Sequence, residues 1–174
     1  MKKLVFILLI INFLHQGFSQ TTNPISTENQ KLVQIASDMM TEAGLCALIT
    51  NDSVGKINVR IMQPFTPEDD LTIWFGTNTH SRKVSDIKHN PAVVLYYPSP
   101  DASGYVVLNG KAYLISDPEM KERYWMESWK NFYDKNRSNY LLIKVIPESM
   151  EILNTKLGVN GDPVTWKVPE IQLK

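Results

Sequence analysis

The sequence predicts a mainly β domain with flanking helices, arranged as a closed or split antiparallel barrel of six to seven strands. Predicted strands outnumber predicted helices, and connections of hairpin length join the strands of the first half. The helices fall between strands without the regular alternation of a parallel α/β fold. With 174 residues, 43% of them apolar, the chain has room for one such core and no second domain.

The first half predicts one helix followed by a hairpin. The helix is indicated by apolar residues that recur at the spacing of one helical face, namely Leu32, Ile35, Ala36, Met39 and Met40. Thr27 is predicted as its N-cap and Gly44 as its stop. Strands over residues 45–50 and 56–62 follow, and the polar residues 51–55 between them predict a tight hairpin connection.

The remaining elements continue the antiparallel pattern. Further strands are predicted over residues 71–75, 92–97, 105–115 and 140–145, with a short seventh over 150–153. Gly110, inside the longest of these strands, predicts a bulge or a close backbone approach. A short helix is predicted over residues 81–89. A second helix is predicted from the cap Asp117-Pro118 to about Tyr133, with Trp125, Trp129 and Phe132 on one face.

The N-terminus is typical of a secretory signal peptide. Lys2 and Lys3 precede an apolar run over residues 4–14, and small residues follow where a signal peptidase cuts. The run is shorter than the roughly 20 residues that span a bilayer, so no stable membrane insertion is expected after cleavage. We therefore expect an exported protein, in a bacterial periplasm. The predicted division is a signal peptide over 1–19, a flexible lead-in over 20–26, the barrel domain over 27–154 and a C-terminal tail over 155–174.

Composition and motif searches exclude several classes of function. Eighteen basic and 18 acidic residues give a formal net charge of zero, which argues against nucleic acid as a partner. Cys46 is the single cysteine and lies in an apolar run, which is typical of a core thiol. His80 and His89 lack the paired spacing of zinc ligands, so no metal site is predicted. The sequence has no Gly-x-Ser-x-Gly turn and no Walker-type loop.

The polar turn over residues 77–83 is the strongest functional signal. Ser81 is a predicted N-cap, which places Arg82 and Lys83 in the first turn of a helix. The helix macrodipole disfavours positive charge there, whereas backbone amides and cations together suit a bound anion. Because the hydroxyl of Thr77 lies in the same segment, the turn predicts a phosphate site.

The order of several short motifs resembles one family. An Arg-x-Met strand (Arg60-Ile61-Met62) is followed by the polar turn, then by Asn90-Pro91 before an apolar strand, and then by Gly110-Lys111-Ala112 in the next one. This order, over residues 32–153, resembles the pyridoxamine 5'-phosphate oxidase-like family, and most closely its general stress protein branch of split barrels that bind flavin mononucleotide (FMN).

The resemblance implies a homodimer with one FMN in each of two clefts at the subunit interface. Arg82 and Lys83 would hold the flavin phosphate, Ser81 and Thr77 would add hydroxyl or amide contacts, and Arg60 would add charge nearby. The backbone of Ile61, Met62 and Gln63 would run beside the isoalloxazine ring. Tyr105 stands where the oxidase has a flavin-contacting glutamine.

The chain also departs from the oxidase, which leaves three functions open. Residues 63–65 lack the lysine that serves the substrate phosphate, and no arginine follows Arg137. We therefore do not expect oxidation of a B6 phosphate. The leading hypothesis is an FMN-dependent oxidoreductase with a small-molecule redox substrate. The alternatives are a flavin-binding or carrier protein without turnover, and, ranked last, a haem-binding relative with His80 or His89 as the iron ligand.

Overall fold

The computed structural model describes residues 26–173, and the predicted signal peptide and the first part of the lead-in lie outside this range. The helices are α1 (Thr27–Ala43), α2 (Arg82–His89) and α3 (Pro118–Arg123). The strands are β1 (Cys46–Asn51), β2 (Ile57–Met62), β3 (Ile73–Asn78), β4 (Ala92–Pro98), β5 (Gly104–Ile115), β6 (Tyr140–Asn154) and β7 (Glu170–Gln172). They form one antiparallel sheet in the order β2-β1-β4-β5-β6-β3, with β7 beside β6. The predicted mainly β class with seven antiparallel strands is confirmed. In the described range, no helix is long and apolar enough to cross a membrane.

Helix α1 packs an amphipathic face against the core of the sheet. Its buried residues, Ala36, Met39 and Met40, belong to the predicted apolar stripe. Gly44 ends the helix at φ +65°, a left-handed conformation that favours glycine, as predicted. The predicted N-cap was one residue too late, because Ser26 accepts the hydrogen bond from the Asn29 amide and Thr27 is already helical.

The hairpin between β1 and β2 forms as predicted. The Asp52 carboxylate accepts hydrogen bonds from the Val54 and Lys56 amides at 3.0 and 2.9 Å, and these bonds close the turn. Side chains along β2 alternate between two faces, and the apolar set (Ile57, Val59 and Ile61) is the exposed one. The polar set is half-buried, so β2 is inverted relative to an ordinary edge strand.

A bulge at Gly110 lets β6 run through a proline. A Cβ at Gly110 would lie 2.4 Å from the Ile146 carbonyl oxygen, and the β5–β6 register shifts between Asn109 and Gly110. Gly110 lies opposite Pro147, which has no amide hydrogen to donate. The two strands predicted over 140–145 and 150–153 are therefore one strand of 15 residues. The seventh strand is β7, in the C-terminal tail.

The helix predicted to reach Tyr133 is much shorter. Asp117 caps α3 by accepting from the Met120 amide, as predicted, but the helix ends at Arg123 and a 3₁₀ turn follows at Glu127–Trp129. The chain leaves helical geometry because aromatic rings after α3 pack on the outer surface of β3 and β6; this cluster contains Phe65, Trp74, Tyr124, Trp125, Trp129, Tyr133 and Tyr140. Phe132, predicted on the same face as Trp129, is exposed instead.

Strand β3 begins two residues later than predicted and extends further. Leu71 adopts φ +60° and lies in the preceding loop. The strand then continues through Thr77 to Asn78, directly before the turn that leads into α2. This extension places Thr77 on a rigid strand, where its side chain is buried.

Candidate functional site

The end of β3 and the start of α2 bring three polar side chains together. Ser81 is the N-cap by its backbone angles, as predicted, yet within the described part of the chain its hydroxyl makes no capping bond. That hydroxyl lies 3.1 Å from Thr77 Oγ1, and Lys83 Nζ donates to the same Thr77 oxygen at 3.1 Å. The first amides of an α-helix have no partners within the helix, so hydroxyls, amides and an ammonium group converge at one helix start.

A second cation, Arg60, is fixed beside this turn by a buried carboxylate. Asp86, on the inner side of α2, lies 3.2 Å from the Arg60 guanidinium. Its Oδ2 atom also accepts from Thr50 Oγ1 at 2.6 Å and from Asn58 Nδ2 at 3.2 Å. Arg60 Nη1 donates to Thr50 Oγ1 at 2.6 Å. The guanidinium is therefore held in one orientation by two side chains.

The two cations influence each other. Burial lowers the pKa of Lys83 below its usual value, and the charge of Arg60 lowers it further. Asp86 compensates Arg60, but the bond from Lys83 Nζ goes to a neutral hydroxyl. The pair thus creates a local excess of positive charge that a bound anion would relieve. We refer to Arg60, Thr77, Ser81 and Lys83 as the Arg60–Lys83 site.

The other predicted residues are placed differently. Arg82 is exposed at the first position of α2, whereas Lys83 beside it is half-buried. Ile61 faces the exposed side of β2, Met62 is half-buried on the side of Arg60, and Gln63 is exposed after the strand. This segment directly follows Arg60 along β2, and its predicted role beside the isoalloxazine ring stays a prediction.

Tyr105 and Thr77 lie on different strands that pair with opposite ends of β6. Thr77 pairs with Leu141 on β6, whereas Tyr105 pairs with Leu153 on the same strand. The structure therefore brings together Arg60, Thr77, Ser81 and Lys83, and it leaves Tyr105 at the other end of β6.

Sequence reasoning missed three residues of the site. Thr50, Asn58 and Asp86 form the network that orients Arg60. Asn58 could have been found from strand alternation, because it lies two residues before Arg60 on the same face. Asp86 stands beside the buried Ile87 in α2, and an acid at such a position needs a partner.

Neither metal nor iron ligation gains support from the described residues. Within residues 26–173, no group of three or more His, Cys, Asp or Glu side chains is placed to hold a metal ion. His80 and His89 are both exposed, and α2 separates them. Cys46 is buried in the core as predicted, and burial raises the pKa of its thiol to about 12.

Comparisons with known proteins agree with this architecture. The family described as pyridoxamine 5'-phosphate oxidase like matches residues 28–160. General stress protein 26 of Bacillus subtilis (strain 168) is 29% identical over 104 residues, which are 58% of this chain and 73% of that protein.

Two solved structures share the fold. A protein related to general stress protein 26 from Clostridium acetobutylicum matches with a TM-score of 0.66 and 18% identity, over 82% of this chain and 95% of its own. A pyridoxamine 5'-phosphate oxidase-related, FMN-binding protein from Nostoc punctiforme matches with a TM-score of 0.55 and 16% identity, over 83% of this chain and 94% of its own. The family match spans well over half of the sequence and contains every residue of the Arg60–Lys83 site, so the chain belongs to the pyridoxamine 5'-phosphate oxidase-like family.

Proposed function

We propose that the protein is an FMN-dependent oxidoreductase that acts on a small-molecule redox substrate. The observation that carries this proposal is the environment of the half-buried Lys83. Its ammonium group donates to the neutral hydroxyl of Thr77, and the nearby charge of Arg60 lowers its pKa. Two neighbouring, partly buried positive charges repel each other and destabilise the free protein, whereas the same two charges attract a bound phosphate. The family of the chain and its FMN-binding structural neighbour from Nostoc punctiforme support FMN as the molecule that carries this phosphate group.

The residues present fit the phosphate end of FMN. Arg60 offers a guanidinium held in place by Asp86, Lys83 offers an ammonium, and Thr77 and Ser81 offer hydroxyl donors. When bound, FMN would supply the electron-transfer chemistry, and the protein would anchor and orient it.

We further propose a homodimer, because the outer face of the sheet exposes a patch suited to a second copy. On the edge strand β2, the side chains of Ile57, Val59 and Ile61 are 64%, 61% and 66% exposed. The patch continues onto β4 at the exposed Tyr96. An apolar face of this kind is typical of a protein interface. Since Arg60 lies on the opposite side of the same strand, the interface would border the site, and each dimer would hold two FMN molecules.

The first test is the visible spectrum of the purified protein with and without added FMN. We expect one bound FMN per chain and a particle of twice the chain mass in analytical ultracentrifugation. A protein that neither carries flavin nor binds it under titration would overturn the assignment. Addition of haemin to the same preparation tests the haem alternative, which we expect to fail because His80 and His89 are exposed.

The second candidate is a flavin carrier without turnover, and the lack of a lysine over residues 63–65 favours it. Anaerobic reduction of the bound flavin by nicotinamide nucleotides, followed by reoxidation with small quinones, separates the two. We expect complete reduction and reoxidation. A flavin that none of these donors reduces would replace the enzyme proposal with the carrier.

Export to a bacterial periplasm is a further part of the proposal. It rests on the charged and apolar pattern of residues 1–19. N-terminal sequencing of protein from periplasmic extracts is expected to start at Gln20. An intact Met1 on protein confined to the cytoplasmic fraction would contradict it.

A further inference from the structure

Asp86 links the two cations of the Arg60–Lys83 site to each other. It follows Lys83 by one turn of α2, so the two side chains lie on the same face of the helix. The Asp86 side chain is only 6% exposed, and its carboxylate lies 3.2 Å from the guanidinium of Arg60 on β2. The cation of the strand is therefore tied to the helix that carries the other cation. The spacing between Arg60 and Lys83 depends on Asp86.

Hydrogen bonds from two strands hold the Asp86 carboxylate in place. Its Oδ2 atom accepts from the Thr50 hydroxyl on β1 and from the Asn58 side-chain amide on β2. Because Thr50 donates its hydroxyl hydrogen to Asp86, its oxygen is left to accept from Arg60 Nη1, at 2.6 Å. One terminal nitrogen of the guanidinium thus contacts Thr50 and the other contacts Asp86. The remaining N–H groups of Arg60 keep a fixed direction.

Asp86 also lowers the net charge of the site. Arg60 and Lys83 by themselves would attract any small anion, and a carboxylate beside Arg60 cancels one of the two charges. Attraction by net charge is then reduced, while hydrogen bonds from two fixed cations still favour an anion with several oxygens. Chloride has no separate oxygens to meet donors at two places, so it gains from net charge alone.

We propose that Asp86 is a positioning residue that makes the Arg60–Lys83 site selective for oxyanions over halide ions. It holds Arg60 at a fixed spacing from Lys83, and it cancels charge that would otherwise attract chloride. That the selected oxyanion is the phosphate of FMN rests on the proposed function. The selection itself belongs to the anion site and is measurable with inorganic phosphate.

The deciding variant is Asp86→Asn, because charge and position predict opposite results for it. Asparagine removes a negative charge beside the anion, so charge alone predicts tighter binding of every anion. Because Asp86 positions Arg60, we expect phosphate affinity to fall about fivefold or more through one misplaced charge-assisted contact. Chloride affinity should rise about twofold or more in the same variant, because chloride responds to net charge.

Isothermal titration calorimetry of the full, flavin-free chain measures both affinities, with chloride as the competitor of inorganic phosphate at constant ionic strength. Thr50→Val is the second variant, because it keeps every charge and removes the hydroxyl that contacts Arg60. We expect phosphate affinity to fall about threefold or more in Thr50→Val and to stay within about twofold in Thr50→Ser. Thr72→Val is the matched control, because Thr72 is also buried and its amide bonds to Asp70, outside this network.

Several results would overturn the inference. One is phosphate affinity that is unchanged or higher in Asp86→Asn, and another is a parallel loss of phosphate and chloride affinity, which indicates a collapsed site. Near-UV circular dichroism shows whether Asp86→Asn folds, and the Thr50 variants decide if it does not. Unchanged phosphate affinity in Thr50→Val, or an equal loss in Thr72→Val, then contradicts the positioning role.

The same measurements separate this inference from the proposed function. A protein that selects phosphate through Asp86 and binds no FMN would support the inference and remove the proposed function. FMN affinity that does not change in Asp86→Asn would overturn the inference and leave the proposed function standing.

Discussion

Replacement of Lys83 by methionine tests the anion site most directly. Methionine keeps most of the length and apolar contact of the lysine stem and removes the ammonium group. The lost interaction is one charge-assisted hydrogen bond to phosphate, which contributes about 1.5–3 kcal/mol. At about 1.4 kcal/mol per factor of ten, FMN affinity should fall roughly 10- to 150-fold.

The assay is titration of FMN by the quenching of its fluorescence, at two salt concentrations. Lys88→Met is the matched control, because Lys88 lies in the last turn of the same helix, is exposed and carries the same charge. Loss of one positive charge in general would affect both variants equally and would disappear at high salt. A Lys83→Met protein that binds FMN within twofold of the unmodified protein would refute the assignment, as would an equal loss in Lys88→Met.

The same reasoning gives a pH dependence for the unmodified protein. The pKa of Lys83 is lowered in the free protein by burial and by the charge of Arg60, and a bound phosphate would raise it again. Binding therefore takes up a proton between the two pKa values, and FMN affinity should fall as the pH rises through that window. The slope should be absent in Lys83→Met.

Three further predictions concern the fold and the assembly. Gly110→Ala should lower the free energy of unfolding by about 1–3 kcal/mol in urea titrations, because its Cβ would collide with the Ile146 carbonyl; a change below about 0.5 kcal/mol would contradict the close approach at this bulge. Burial raises the pKa of Tyr124 to about 12, with a smaller effect from its bond to Glu68, so the stability that it contributes should be lost as the pH rises from about 10 to about 12. Tyr124→Phe should remove this loss from pH-dependent unfolding curves, and an unchanged curve would contradict the assignment. Val59→Lys should shift the sedimentation coefficient from dimer to monomer at micromolar concentration, and a dimer that persists would exclude the outer face of β2 as the interface.

Local chemistry determined the parts of the fold that could be predicted. The hairpin turn, the left-handed Gly44 and the cap at Asp117 each depend on a few neighbouring residues. The sequence predicted two strands over residues 140–145 and 150–153, whereas the bulge at Gly110, opposite Pro147, lets one strand continue through both. That accommodation depends on a residue from another strand, so it is invisible in the local sequence.

The site also contains some residues that the sequence placed together and others that only the folded structure brings together. Thr77, Ser81 and Lys83 lie within one short segment, and the sequence placed them together. Arg60 joined them only through the family resemblance. The carboxylate that orients it, Asp86, is recognisable only once α2 is packed against the strand that carries Arg60. Tertiary contacts of this kind are what a single sequence leaves undetermined.

Strand β6 has a consequence for the order in which the molecule can fold. Among the described strands, β3 pairs with β6, so Thr77 gains its neighbour Leu141 only after most of the chain has been synthesised. Until β6 is in place the sheet is incomplete, and β3 lacks the partner that positions the start of α2. Pairings between distant segments form slowly, because a long loop must close before any contact stabilises it. The anion site is therefore completed late in folding, because a chain truncated before β6 would keep Asp86 to hold Arg60 against α2 but would lack the strand that pairs with Thr77.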